Sequence, residues 1–145
     1  PVGVGSTCEI FDVALTDYVS PDQALRALQV ASPASLQPHD ARYIQKSDAA
    51  ASVALPVSTY RATFDGDASL CSVPQAVFVV RKKKEKVLDP QEFLVGPVQF
   101  EGSEAVFTLE AKATGSLRPD LLVEAMLPEG LHVQTLTRIE QRSAR

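Results

Sequence analysis

The chain has 145 residues, 45% of them hydrophobic and 22% charged, with a formal net charge of −4. Such a composition belongs to an ordinary globular protein of one domain or two small ones, and its acidic balance argues against a general nucleic-acid coat. No apolar run approaches the roughly 18 residues of a membrane-spanning helix, and no signal-peptide pattern opens the chain. A cytoplasmic location is expected, with an organelle interior such as the plastid stroma as the alternative.

Residues 1–7 (PVGVGST) are Gly-rich, read as loop, and have the composition of an internal segment rather than a start. In residues 9–16, Ile10, Asp12 and Ala14 alternate against Phe11, Val13 and Leu15, the period of a half-buried strand. Ser20-Pro21-Asp22-Gln23 is a helix start. Ser20 can cap, Pro21 suits the first helical position, and Gln23 can reach back as in a capping box. Ala24, Leu25, Leu28 and Ala31 continue the helix, which ends before Pro33. A second strand is expected over residues 39–45, then a linker over 46–54.

The second half opens with Val57–Phe64, where Tyr60, Ala62 and Phe64 share a face, and Asp65-Gly66 ends it. Residues 67–74 form a short connection to a core strand over 76–81. Residues 96–101 and 104–112 predict a hairpin about Gly102-Ser103. Pro119 opens a helix with Leu121, Leu122, Ala125 and Met126 on its stripe, and residues 131–140 supply a last strand. Phe78, Val80, Phe107, Leu109, Leu122 and Met126 are the expected core. Cys8 and Cys71 lie far apart and leave a disulfide or two small buried side chains open.

The element order predicts an α+β protein. Residues 54–145 form a ferredoxin-like βαββαβ unit with a degenerate first helix. Residues 1–53 form the second half (βαβ) of another such unit plus a linker. Short crossovers and antiparallel pairing favour this over a doubly wound parallel sheet.

Several stretches resemble the radical SAM-linked protein family, an uncharacterised domain fused to or encoded beside radical SAM proteins. They are PVGVGSTCEIFDVALTDYVSPDQALRAL, ASLQPHDARYI and STYRATF, and above all VRKKKEKVLDPQEF and SLRPDLLVEAML. The last two match its R-x-x-K-E-K-x-x-D strand end and S-x-R-P-D helix start. The resemblance implies a radical SAM enzyme as partner and a neighbourhood of RNA-processing and ribosomal genes. Against that family the N-terminal portion is missing, and the helix before the basic strand is shrunken to residues 66–74. Something else must then cover Phe11, Val13, Leu15, Leu25 and Leu28. The expected partner over residues 9–45 is another chain or residues upstream.

Chemistry-bearing patterns are few. His39 and His132 have no Cys or His neighbour at metal-ligand spacing, and no three-cysteine cluster could hold an iron–sulfur site. No catalytic residue, metal or cofactor is assigned, and the chain is not expected to be an enzyme. The one dense basic cluster is residues 81–86 (RKKKEK). It holds five cations and one anion, leaving 9 cations and 17 anions elsewhere. Arg81, Lys82, Lys83, Lys84 and Lys86, joined by Arg118 at a helix start, are the candidate binding residues. They suit RNA phosphate or an acidic protein, and the plain alternative is a solvated strand end that discourages edge pairing. The expected function is a non-catalytic binding or assembly module in an RNA-related or radical SAM-linked complex. The alternative is a structural subunit held by sheet and helix packing.

Overall fold

The computed structural model describes residues 3–81 and 84–144. The chain divides into two compact units, Pro1–Ile10 with Ala51–Arg145, and Phe11–Ala50. The larger unit mixes strands and helices in an α+β arrangement, and the smaller holds a single helix.

In the larger unit the strands are β1 (Gly5–Ser6), β2 (Val57–Phe64), β3 (Val77–Arg81), β4 (Lys84–Leu88), β5 (Gln99–Glu101), β6 (Glu104–Glu110) and β7 (Val133–Arg142). A five-stranded mixed sheet runs in the order β1-β7-β2-β6-β5, and β3 and β4 form a separate two-stranded ribbon. Strands β2 and β6 pair antiparallel with Tyr60 opposite Phe107 and Ala62 opposite Ala105. Their alternate residues therefore share one face, and Tyr60, Ala62, Phe64, Ala105, Phe107 and Leu109 are all buried there. The opposite face is polar, with Thr59 bonded to Thr108 and to Glu140, and Thr63 to Thr135. The β5–β6 turn is Gly102-Ser103, and Gly102 takes the positive φ of 57° that a two-residue hairpin turn requires.

One helix, α3 (Pro119–Met126), covers the apolar face. Pro119 stands at its first position and Leu122, Val123 and Met126 are buried. The expected stripe is thus rotated by one residue. Val123 faces inward and Ala125 lies exposed, because the sheet and not the helix alone decides which side is covered.

Three expectations for this unit are corrected. Residues 76–81 are not a strand of the main sheet. Among the described residues β3 pairs only with β4, and Phe78 and Val80 are 73% and 71% exposed, outside the core that holds Phe107, Leu109, Leu122 and Met126. An apolar run marks a strand, but only available partners decide whether both of its faces are covered. The Gly-rich opening is not all loop. Gly5 and Ser6 pair parallel with Thr137 and Arg138, and a Cβ on Gly5 would stand 3.3 Å from the Thr137 hydroxyl. The expected linker carries a single helical turn, α2 (Ala51–Ala54).

The smaller unit is centred on α1 (Pro21–Ala31). The capping box forms as its sequence predicts: the Ser20 hydroxyl accepts from the Gln23 backbone N–H, and the Gln23 side chain accepts from the Ser20 N–H. The far end is closed by Gln37, whose amide donates to the Gln29, Ser32 and Pro33 carbonyls. The strands expected over residues 9–16 and 39–45 are absent there, so the predicted second half of another ferredoxin-like unit is not formed. Alternation puts apolar groups on one side of an extended chain, but a strand also needs a neighbour for its backbone groups. Ile10, Phe11, Val13 and Leu15 remain exposed, and α1 buries none of its residues.

Candidate functional site

The ribbon carries Arg81, Lys84 and Lys86 of the residues singled out in the sequence. Its register sets Val77 opposite Leu88, Phe78 opposite Val87, Val79 opposite Lys86, Val80 opposite Glu85 and Arg81 opposite Lys84. Cross-strand partners share a face, so the two faces differ in chemistry. One begins at Val77, which is buried, with Val79 and Leu88 packed on the core, and continues outward to the exposed Lys86 and Lys84. The other presents Phe78, Val80 and Val87 to solvent, with Glu85 beside them. Arg81 is the last residue of β3, and Lys82 and Lys83 lie outside the described residues. Phe78, Val80 and Val87 join the candidate surface. The sequence reading missed the first two by placing them in the core, and only the two-strand pairing reveals them.

Arg118 stands elsewhere. It occupies the N-cap of α3, where its guanidinium is taken up by Asp120, with Nε 3.1 Å from Oδ1. The hydrogen bond that Arg118 donates to Asp120, and the charge of that carboxylate, hold the Arg118 pKa above its ordinary value. It lines a cavity of about 260 Å³ whose walls include Tyr60, Arg138 and Gln141 but no residue of the ribbon. On that wall Arg118 stands with residues of β2, β6 and β7.

A second polar feature lies along the β1–β7 edge. Arg138 donates to the Glu9 carboxylate, and the Thr7 backbone N–H donates to the Arg138 carbonyl at 3.0 Å. Burial works against the charge on Arg138, but the hydrogen bond and charge of Glu9 outweigh it and raise the pKa. Glu9 is correspondingly lowered, chiefly by the hydrogen bond from Arg138. At the other end of the same sheet, Asp65 accepts from the His132 backbone N–H at 2.8 Å and lies 2.9 Å from its Nδ1. That carboxyl is held below its usual range, first by the backbone hydrogen bond and then by the ring. The pair closes the exposed ends of β2 and β7.

A family model described as "Uncharacterized protein conserved in bacteria (DUF2344)" matches residues 1–119. The chain belongs to this family. Its description names neither an activity nor a radical SAM partner. No curated protein and no solved structure matches the chain. In this DUF2344 chain the matched span takes in the ribbon and β1 through β6 and ends at the first residue of α3, so β7 lies beyond it. Both cysteines are free, Cys8 half-buried and Cys71 buried in the core, where desolvation raises its pKa. Among the described residues, no three His, Cys, Asp or Glu side chains come together in a group that could hold a metal ion. No described helix is long and apolar enough to cross a membrane.

Proposed function

We propose that the chain is a non-catalytic binding module that holds single-stranded RNA on the β3–β4 ribbon. The observation that carries this reading is the pair of unlike faces on one element: exposed Lys84 and Lys86 on one side, exposed Phe78, Val80 and Val87 on the other. Lysines attract backbone phosphate without regard to sequence, and an exposed ring gives a base a surface to stack on. Solvent-exposed lysines hold an anion but offer no sheltered place for a reaction. The acidic remainder of the chain confines such binding to the ribbon.

Titration of the full chain with a short single-stranded RNA at 50 and 200 mM salt tests the reading. Contacts from Lys82, Lys83, Lys84 and Lys86 would weaken binding about 50-fold between those concentrations. Absence of binding at both would remove the proposal. An acidic peptide that binds where RNA does not would reassign the ribbon to an acidic protein partner.

A second reading, a structural subunit held by packing, is favoured by Ile10, Phe11, Val13 and Leu15, which are exposed together in sequence beside an α1 that buries nothing. A partner chain over this segment would cover them. Assembly with a radical SAM enzyme, implied by the sequence resemblance, belongs to this second reading, and co-purification with such an enzyme is its test. The antiparallel order β7-β2-β6-β5 with α3 on one face supports a ferredoxin-like assignment in which the ribbon sits in the first crossover.

A further inference from the structure

Among the described residues, four side chains make up the outward face of the β3–β4 ribbon. Phe78 stands opposite Val87 and Val80 opposite Glu85, and all four are exposed. Successive residues of a strand point to opposite faces, so Glu85 lies on the side away from Lys84 and Lys86. This face is thus an apolar surface with a carboxylate at one corner.

A lone carboxylate in a basic strip has an ordinary explanation, pairing with a neighbouring lysine. That explanation does not hold here. Among the described residues, no ion pair or hydrogen bond takes up the Glu85 side chain. Set among the lysines, the carboxylate would repel the backbone phosphates they attract. On the opposite face it meets bases instead.

Its place relative to Phe78 decides what it can reach. Diagonal neighbours on one face of an antiparallel pair stand about 7–8 Å apart, within reach of aromatic and long side chains. Phe78 and Glu85 are such neighbours, because Glu85 lies two residues before the Val87 that faces Phe78. A base stacked on the Phe78 ring can extend one edge past that ring to the carboxylate, with Val80 and Val87 supplying apolar surface beneath it.

The chemistry of that edge selects the base. At neutral pH a carboxylate accepts hydrogen bonds and cannot donate them, and its two oxygens suit two donors side by side. Guanine offers such a pair on its Watson–Crick edge, N1–H beside the N2 amino group. Adenine and cytosine set one amino group beside a ring nitrogen that accepts, and uracil sets its N–H between two carbonyls. Each of these brings a lone pair against the carboxylate. Single strands are read in this way, by stacking together with hydrogen bonds to base edges.

We propose that the ribbon prefers guanine in single-stranded RNA, the base stacked on Phe78 and its N1–H and N2–H donated to the two oxygens of Glu85. The inference rests on the ribbon reading and adds Glu85 to it as the residue that sets specificity.

Fluorescence anisotropy of the full chain with the labelled RNA pentamers UUUUU, UUGUU and UUIUU tests it, at about 50 mM salt, where phosphate attraction is strong. Inosine keeps N1–H but lacks the N2 amino group. UUGUU should bind at least about fivefold tighter than UUUUU, the low end for one bidentate contact because this one is open to solvent, and UUIUU should fall between them. Glu85→Gln, an exposed change close in shape, should bring UUGUU and UUUUU to within about twofold of each other. Equal binding of the three pentamers to the unaltered protein would overturn the guanine preference and leave the ribbon reading standing. A preference that survives Glu85→Gln would overturn it too, since the carboxylate would not be its source. Absence of binding by all three would remove the ribbon reading, and this inference with it.

Discussion

The Glu9 carboxylate accepts from the Arg138 guanidinium across the edge where β1 lies parallel to β7. This pair, with the Thr7 bond to the Arg138 carbonyl, fastens the N-terminal segment to the sheet. The folded state holds the Glu9 pKa below its ordinary value of 4.5, first through the Arg138 hydrogen bond. A depressed carboxylate pKa contributes stability that is present above the unfolded value and lost as pH falls through the folded one. Glu9→Gln should therefore destabilise the protein at pH 7 by no more than about 1 kcal/mol, since the carboxylate is half-exposed. Urea melts at pH 7 and pH 3 check the sign. The gap between the two proteins should narrow at the lower pH, and a gap that widens would contradict the pairing.

The faces of the ribbon make a prediction that runs against side-chain size. Val77 is 2% exposed and Phe78 is 73% exposed, although they are adjacent. Val77→Ala should cost about 1–3 kcal/mol, whereas Phe78→Ala should stay within about 0.5 kcal/mol. Denaturant midpoints decide it, and a larger loss for Phe78 would mean that the ribbon turns its other face to the core.

Replacing Lys84 and Lys86 by Ala together should leave the denaturant midpoint almost unchanged, because both are exposed and exposed substitutions rarely exceed about 0.5 kcal/mol each. The same variant should fail to retain RNA. If retention persists, the lysines serve only to keep the ribbon edge from pairing with other strands.

Leu122 is completely buried at the centre of α3, against the sheet. Its truncation to Ala should cost about 2–5 kcal/mol as a cavity-forming change. A loss below about 1 kcal/mol, measured by chemical denaturation, would be inconsistent with a helix packed on this face.

Protection from amide exchange should follow burial and pairing. Residues of β2 and β6, hydrogen-bonded on both sides or packed on the core, should exchange slowest. The α1 amides, within a helix that buries nothing, should exchange faster, and residues 9–16, which lack a ladder, fastest. Uniform protection across 24–31 and 57–64 in a monomer would remove the case for a partner chain over this segment.

The capping box at Ser20 and Gln23, the β2 and β6 faces, the Gly102 turn and the Pro119 helix were all legible in the sequence. Each rests on residues within a few positions of one another: a hydroxyl three residues from an amide, a side-chain period of two, a glycine where φ must be positive. The basic cluster was equally plain, but which side chains share its surface was not. Phe78 and Val80 look like core by composition. They are surface because β3 pairs, among the described residues, with β4 alone and one face of that pair stays uncovered. The same alternation in residues 9–16 yielded no strand, because period alone supplies no backbone partner. The parallel pairing of Gly5 with Thr137, the Glu9–Arg138 pair and the irregularity at Ile139 that sets Gln141 opposite Ser58 join residues distant in sequence or depend on cross-strand register. Local propensity reports what a segment can become. Tertiary structure decided what these segments did become, because a strand's faces and register are defined only by the neighbours that satisfy its backbone.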